Sequence, residues 1–468
     1  MTELWQLSAW DARRGLLDRK FSAVELTRSC LERAQAVEGM IHAFITQTPE
    51  LALAEAQDAD VRLGRGEAGW MCGIPYAVKD NYFTAQAPTT AGSRVPLPPP
   101  PVAEATIVSR LRASGAILTG KLNTWEFGTG TGQILPDLPY PIARNPWDPR
   151  RFTGGSSSGS GAVVPSGGAL ISFGSDTGGS IRFPAAACGL VGLKPTYGRV
   201  PRAGILPNCY SLDVAGPLGW RAHDCALAMN VIAGWDHHDP ACAREAVPDY
   251  IIGLDRSVRG LKVGVLDGCF ENEIQVDDVL MEGLRNAVEI FRALGMETYP
   301  VRPEYDRCVF RDCMRLINSV ESASIHRSSF IKHHDKMGQA LKDKLLGGEQ
   351  ISGVDYVNAV RWRRGLAESV TRLLDKVDVI VTFGTNIIPP LLSDDDAIKR
   401  FTTESNMTMC SISGHPAISF CVGKTSDGIP LNAQLVGKYF NEHMLLHIVS
   451  IYERETGFLK NKPHIGEI

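Results

Sequence analysis

Two serines set in glycine-rich clusters, and one lysine that ends an apolar run, are the residues of this sequence best suited to bond-breaking chemistry. The first cluster is Gly154-Gly155-Ser156-Ser157-Ser158-Gly159-Ser160 and the second is Asp176-Thr177-Gly178-Gly179-Ser180. Between them, the segment from Ala162 to Gly174 is too apolar for a solvated linker and is patterned like a short helix running into a strand, which would hold both clusters at the ends of buried elements. Ser156 falls where a helix would begin. The amides of a first helical turn have no partner inside the helix, so such a place favours oxygen ligands and developing negative charge. Gly178 and Gly179 permit backbone conformations closed to residues with a Cβ, so several N–H groups can converge beside Ser180, which is how an oxyanion hole is built. A serine hydroxyl is a poor nucleophile unless something takes its proton. No histidine is close by in sequence, and the upstream candidate is Lys79, which ends Gly73-Ile74-Pro75-Tyr76-Ala77-Val78. Burial disfavours an ammonium ion and frees a fraction of the amine to act as base. Taken singly, each feature also has an ordinary alternative: a Gly/Ser turn for the clusters, and a solvated strand-end lysine for Lys79.

The run from Gly154 to Ser160 and on through Gly174-Ser175-Asp176-Thr177-Gly178-Gly179-Ser180-Ile181-Arg182-Phe183-Pro184-Ala185-Ala186, with Gly192-Leu193-Lys194-Pro195-Thr196 behind it, resembles the amidase signature family. Ile74-Pro75-Tyr76-Ala77-Val78-Lys79-Asp80 resembles that family's lysine motif, and the spacing of Ser156 and Ser180 fits its two serines. The resemblance spans nearly the whole chain and is strongest from Gly73 to Pro217. It implies Ser180 as the acyl-forming nucleophile, Ser156 as a bridging serine at a cis peptide and Lys79 as the base. It further implies the N–H groups of Thr177, Gly178, Gly179 and Ser180 as an oxyanion hole, with Asp176 and Arg182 bracing the loop. The implied path is a relay in which the Ser180 proton passes through Ser156 to neutral Lys79 and returns by the same route to the leaving amine, after which water hydrolyses the acyl-enzyme. No cofactor and no metal belong to this machinery.

The chain has 468 residues, a formal net charge of −4 and an ordinary soluble composition, enough for a substantial core. Acids and bases are mixed along it, which leaves no basic face for nucleic acid and no polybasic membrane patch. The first residues lack a basic segment followed by an apolar one, and no stretch reaches a membrane-spanning length, so the expectation is a cytoplasmic protein. Eleven cysteines at irregular intervals, without a C-x-x-C pair, read as thiols in a reducing compartment. His237-His238-Asp239 and His333-His334-Asp335 suggest metal ligands, but adjacent histidines on an ordered element tend to diverge, so surface or loop positions are expected.

Periodicity supplies the scaffold. Ser22-Ala23-Val24-Glu25 is a capping box that opens an amphipathic helix, and Leu7 to Leu17 looks like another. Gly73 to Val78 is a core strand delivering Lys79, Thr106 to Ser114 a helix stopped by Gly115, and Ala116 to Leu118 a strand. Leu261 to Leu266 is a strand, Val276 to Leu294 a helix, and Val377 to Thr382 a return to the sheet. Helices fill Tyr305 to Lys344 and Val354 to Asp375, their mixed charges most simply a solvated face. Ser413 to Phe420 and Gly428 to Gly437 resemble the family's last strand pair, and Asn441 to Thr456 closes the chain as a helix. The expected fold is one α/β domain over residues 1–468: a mixed β-sheet core covered by helices on both faces, with a helical layer over 1–72, a catalytic core over 73–217 and the remaining α/β body with substrate-side helices over 218–468.

Gly128 and Thr129 are candidate substrate-binding residues, because they follow Lys121-Leu122-Asn123 where the family carries a substrate-side loop. Ile134 to Pro141 departs from the usual polar pattern there, which suggests a less polar pocket. The function expected is hydrolysis of the C–N bond of a small amide, or of a carbamate or urea-like substrate, by a freestanding enzyme; a homodimer is the oligomer the resemblance suggests. The alternative is the glutaminase subunit of a tRNA-dependent amidotransferase. Arg363 and Glu404 fall near that subunit's glutamine-recognising positions, whereas Ser324 to Phe330 offers no match to its Phe-Asp-Gly-x-Arg-Tyr-Gly-like segment. A remote alternative is a non-enzymatic phosphate- or nucleotide-binding module, for which neither P-loop nor G-x-G-x-x-G spacing is present.

Overall fold

Short apolar runs inside the sheet become strands because both of their faces are buried, whereas the two edge strands are more open. Strands β1 (Phe44–Gln47), β2 (Pro75–Lys79), β3 (Ile117–Leu122), β4 (Ile171–Asp176), β5 (Val191–Lys194), β6 (Val214–Gly219), β7 (Lys262–Val265), β8 (Glu297–Pro300), β9 (Val379–Thr382), β10 (Ala417–Lys424) and β11 (Pro430–Gly437) form one sheet in the order β1-β3-β2-β4-β6-β5-β10-β11-β9-β7-β8. The computed structural model describes residues 3–100, 102–130, 137–266 and 274–458, together with 460, 462, 463 and 465. The sheet is mixed: β2 runs parallel to β3 and β4, and β7 parallel to β8 and β9, while β4–β6, β5–β6, β5–β10, β10–β11, β9–β11 and β1–β3 are antiparallel.

Helices α1 (Ala9–Leu17), α2 (Ala23–Ile41), α3 (Pro49–Arg65), α4 (Thr106–Ala113), α5 (Ser158–Ser166), α6 (Arg182–Cys188), α7 (Ala222–Ile232), α8 (Asp278–Ala293), α9 (Arg307–His333), α10 (Gln339–Glu349), α11 (Gly353–Leu374), α12 (Asp395–Thr403), α13 (Thr408–Ser413) and α14 (Glu442–Thr456) flank the sheet. Strand β2 shows why its sequence does not alternate between apolar and polar. Tyr76 and Val78 enter the larger core with Phe173, whereas Ala77 enters a second core with Ala162, Val163, Val164 and Ile181. The expected capping box is formed: the Glu25 amide donates to Ser22 Oγ at 3.1 Å and the Ser22 amide to Glu25 Oε2 at 2.8 Å. Gly115 ends α4 at φ +83°, the left-handed turn a Cβ would disfavour. The helix expected to begin at Ser156 begins at Ser158, with Ser157 at its cap, so Ser156 lies outside the helix. Among the described residues the cysteines form no disulfide, and no helix is long and apolar enough to cross a membrane.

The packing of α6 on the sheet depends on one missing side chain. A Cβ on Gly192 of β5 would lie 2.5 Å from Ala185 Cβ and 3.1 Å from the Ile181 carbonyl oxygen, so the helix reaches the sheet only because that position is glycine. Gly192→Val is therefore expected to push α6 outward at about 1–3 kcal/mol. Thermal unfolding of the variant should shift down relative to Gly192→Ala, which adds only the first carbon.

Candidate active site

Because β2 and β4 are parallel neighbours, with Val78 opposite Phe173, their carboxyl ends finish side by side and bring Lys79 next to Ser175 and Asp176. Lys79 Nζ lies 2.7 Å from Ser156 Oγ and 3.0 Å from Ser175 Oγ, and Asn81 Nδ2 donates to the same Ser175 oxygen at 3.1 Å. The Gly155–Ser156 peptide is cis. The Ser156 carbonyl accepts from the Trp125 amide and Thr124 Oγ1, both at 3.1 Å, which ties the first serine cluster to the chain after β3. Lys79 is fully buried, and burial pushes its amine down to about 7 against the upward pull of Asp213 and Asp176. A neutral amine can accept the Ser156 hydroxyl proton while donating to Ser175. Gly128 closes over this pair at φ +69°: a Cβ there would sit 3.2 Å from Lys79 Nζ and 3.7 Å from Ser156 Oγ.

The second cluster is bent around Asp176. Its carboxylate accepts from the Gly179 amide at 2.7 Å, the Ile181 amide at 3.2 Å, and Arg182 Nε and Nη2 at 2.9 and 3.0 Å. Burial alone would raise the Asp176 carboxyl, but the Arg182 guanidinium beside it holds it below the usual carboxylate range. The Gly179 N–H is thus spent on Asp176, which corrects the expected group of four oxyanion donors. Among the described residues, the amides of Thr177, Gly178 and Ser180 have no protein acceptor. Thr177 Oγ1 donates to Asp213 Oδ1 at 2.5 Å and accepts from Asn208 Nδ2 at 3.1 Å, so the loop is braced from outside as well.

Ser180 is half-buried and opens into a cavity of about 440 Å³, whose lining includes Trp125, Gly128, Thr129, Thr177 and Gly178. The structure places Gly128 and Thr129 in the lining of this cavity. A second cavity, of about 580 Å³, touches Ser175 and Asp213 but does not reach Ser180. The Ser180 cavity is more charged than the apolar loop after Gly130 suggested. Residues 131–136, which carry the start of that departure, lie outside the described residues. Helices α9, α10 and α12 supply Arg311, Arg315, Asp343, Lys344 and Lys399 to the lining, so the mixed charges on α9 and α10 are not simply a solvated face. Glu404 also lines the cavity, whereas Arg363 is absent from the lining and donates instead to the Ile412 carbonyl at 3.0 Å. His237 and His238 do not diverge: they sit in a turn with ring centroids 3.7 Å apart, and Asp236 brings a carboxylate within 4.8 Å of both. That carboxylate already takes Thr106 Oγ1 at 2.5 Å and the His238 amide at 3.0 Å.

The family model described as Amidase matches residues 25–446. The chain belongs to the amidase signature family. The glutamyl-tRNA(Gln) amidotransferase A subunit of Chloroflexus aurantiacus is 34% identical, across 99% of this chain and all of that protein. A putative amidase, AmiD, of Mycobacterium tuberculosis is also 34% identical, across 96% of this chain and 94% of that protein. A solved chain from a complex bearing on the evolutionary origins of an s-triazine catabolic enzyme superposes with a TM-score of 0.88 at 30% identity, over 98% of this chain and 100% of that one. The amidase signature fold accounts for the mixed sheet and for the serine clusters held between its strands and helices.

Sequence reasoning missed Asn81, Asn208, Asp213 and Lys344. Asn81 and Ser175 each adjoin a motif residue and were within reach, but Asn208, Asp213 and Lys344 come from segments with no pattern of their own. In the braced loop, Arg182→Met would leave Asp176 buried and unpaired. Denaturant unfolding should register a loss of about 3–5 kcal/mol, the usual cost of breaking a buried ion pair from one side.

Proposed function

We propose that this protein is a freestanding amidase that hydrolyses the C–N bond of a small amide, or of a carbamate or urea-like substrate, through an acyl-enzyme. The observation that carries the proposal is the 2.7 Å contact between a fully buried Lys79 and Ser156, beside a cavity into which Ser180 opens. In this mechanism Ser180 Oγ attacks the carbonyl carbon while its proton passes to Ser156, whose own proton passes to neutral Lys79. The tetrahedral oxyanion takes hydrogen bonds from the amides of Thr177, Gly178 and Ser180. Its collapse breaks the C–N bond, the Lys79 proton returns through Ser156 to the leaving nitrogen, and an amine departs. Water then attacks the ester by the same relay, releasing the acid and restoring Ser180. Asp176 and Arg182 hold the loop, and no cofactor or metal enters a step. The enzyme acts in the cytoplasm on a small molecule, without nucleic acid or membrane.

The similarity to an amidotransferase component favours a second function, glutamine hydrolysis within a complex. Arg363 faces away from the Ser180 cavity towards Ile412, which weighs against glutamine recognition at that position. Purified protein should release amine or ammonia from a panel of aliphatic amides, arylamides, aryl carbamates and glutamine, with all release lost in Ser180→Ala. Turnover of glutamine alone, or none until partner proteins are added, would favour the amidotransferase function instead. Activity that persists in Ser180→Ala would remove the assigned nucleophile.

The pH profile tests the base. Lys79 acts in its neutral form, so kcat/KM should climb as pH rises through about 7 and level off above it, falling about tenfold per unit below. A profile flat from pH 5 to 9, in round numbers, would exclude Lys79 as the titrating base.

A further inference from the structure

Lys344 is a buried cation lining the cavity of Ser180; Asp213 attracts it from a distance, but no carboxylate of the described residues contacts it. Its side chain leaves α10 and reaches Thr129 Oγ1, Asn208 Oδ1 at 3.0 Å and Asn318 Oδ1 at 3.1 Å. These neutral acceptors satisfy the three N–H bonds of an ammonium ion but supply no opposite charge. Among the described residues no carboxylate oxygen lies within 4.0 Å of Lys344, Arg315 or Lys399, all of which line the cavity. The acids of the same lining are engaged elsewhere. Asp343 accepts from Gln339 at 2.7 Å, and Glu404 accepts from Asn386 at 3.1 Å and lies 3.5 Å from Arg400. Arg311, the remaining cation of the lining, lies 2.8 Å from Asp312. Keeping an ammonium ion out of water is costly unless a counter-charge arrives. Lys344 and Ser180 line the same cavity, and a carboxylate bound there would displace one of the neutral acceptors and supply the counter-charge.

Resting on the amidase function proposed above, we propose that the substrate is an anionic amide whose carboxylate seats at Lys344, drawn in by Arg315 and Lys399 at the rim. Asn208 joins the two ends of this arrangement. Its Oδ1 accepts from Lys344, and its Nδ2 donates to Thr177 Oγ1 in the loop that offers amides to the oxyanion. Seating the anion thus bears on the same side-chain chain that holds the reacting loop. A neutral or cationic amide gains nothing from the seat and leaves the buried charge uncompensated.

The test compares kcat/KM for the monoamides of succinic, glutaric and adipic acids with their uncharged methyl esters, and follows binding of the free dicarboxylates by calorimetry. The wild type should favour the anionic member of the best pair by about tenfold or more, and high salt should shrink that ratio. Lys344→Met should reduce the ratio about tenfold, mainly through KM, and weaken dicarboxylate binding by a similar factor, whereas Lys344→Arg should retain most of both. Arg315→Gln, an exposed change compatible with folding, should cut the ratio about threefold. Equal turnover of charged and uncharged members, abolished in Ser180→Ala, would overturn the anionic substrate class and leave the amidase function standing. Dicarboxylate binding that depends on Lys344 without turnover of any amide would leave an anion site at Lys344 but overturn the amidase function, and with it the anionic amide as substrate. If neither amides are turned over nor dicarboxylates bound, both proposals fall.

Discussion

The buried ion pair between Asp176 and Arg182 is the constraint on which the loop that carries Ser180 depends. Both side chains are fully removed from solvent, so neither charge is tolerable without the other. Arg182 also donates to the Met407 carbonyl at 2.9 Å, Gln434 Oε1 at 2.8 Å and Ser411 Oγ at 2.7 Å. One guanidinium therefore joins the turn after β4 to α13, the residue before it and β11. The Asp176 carboxylate, held in place by this network, draws in the Gly179 and Ile181 amides and leaves those of Thr177, Gly178 and Ser180 open. A loop of small residues thus takes its shape from a charge pair in the interior as well as from the elements packed against it.

Four buried lysines show how environment separates a structural cation from a proposed base. Lys121 lies 3.0 Å from the Asp80 carboxylate, a counter-charge at contact distance. Lys194 donates to the Pro195 carbonyl at 3.0 Å, and burial lowers it to about 8. Lys344 is lowered to about 8 by burial among neutral acceptors. Lys79 has only serine hydroxyls within hydrogen-bonding distance, and burial takes it to about 7. It is also the one hydrogen-bonded to the first serine cluster, through Ser156. Desolvation outweighs the attraction of Asp176 and Asp213, which act on Lys79 without a direct hydrogen bond to it.

In the proposed mechanism, chemistry and selectivity are drawn from different parts of the chain. The residues proposed for the relay lie at the end of β2 and in the turns before α5 and after β4. The cavity wall is made by α9, α10 and α12, whose contribution to the site is a set of charges and small contacts. Gly178 lies close under α9, where a Cβ would stand 3.1 Å from Met314 Sδ, so the helix that bears Arg311 and Arg315 rests directly on the reacting loop.

Local chemistry alone specified much of this protein. Residue type and spacing singled out Lys79, Ser156 and Ser180, and the family resemblance added Asp176 and Arg182. Period and capping placed α2, α4, α8 and the strands β2, β7 and β9, because glycine stops, cap hydrogen bonds and apolar runs act over a few residues. Three things required the assembled fold. The Gly179 amide was turned to Asp176 rather than to the cavity by a carboxylate three positions away whose direction Arg182 sets. The histidine pair converged because a turn, not a helix or strand, carries it. The cation of the cavity, Lys344, came from a helix whose mixed charges look solvated in one dimension. Its burial follows only from the packing of α10 against α9, an interaction between distant segments that no local pattern encodes.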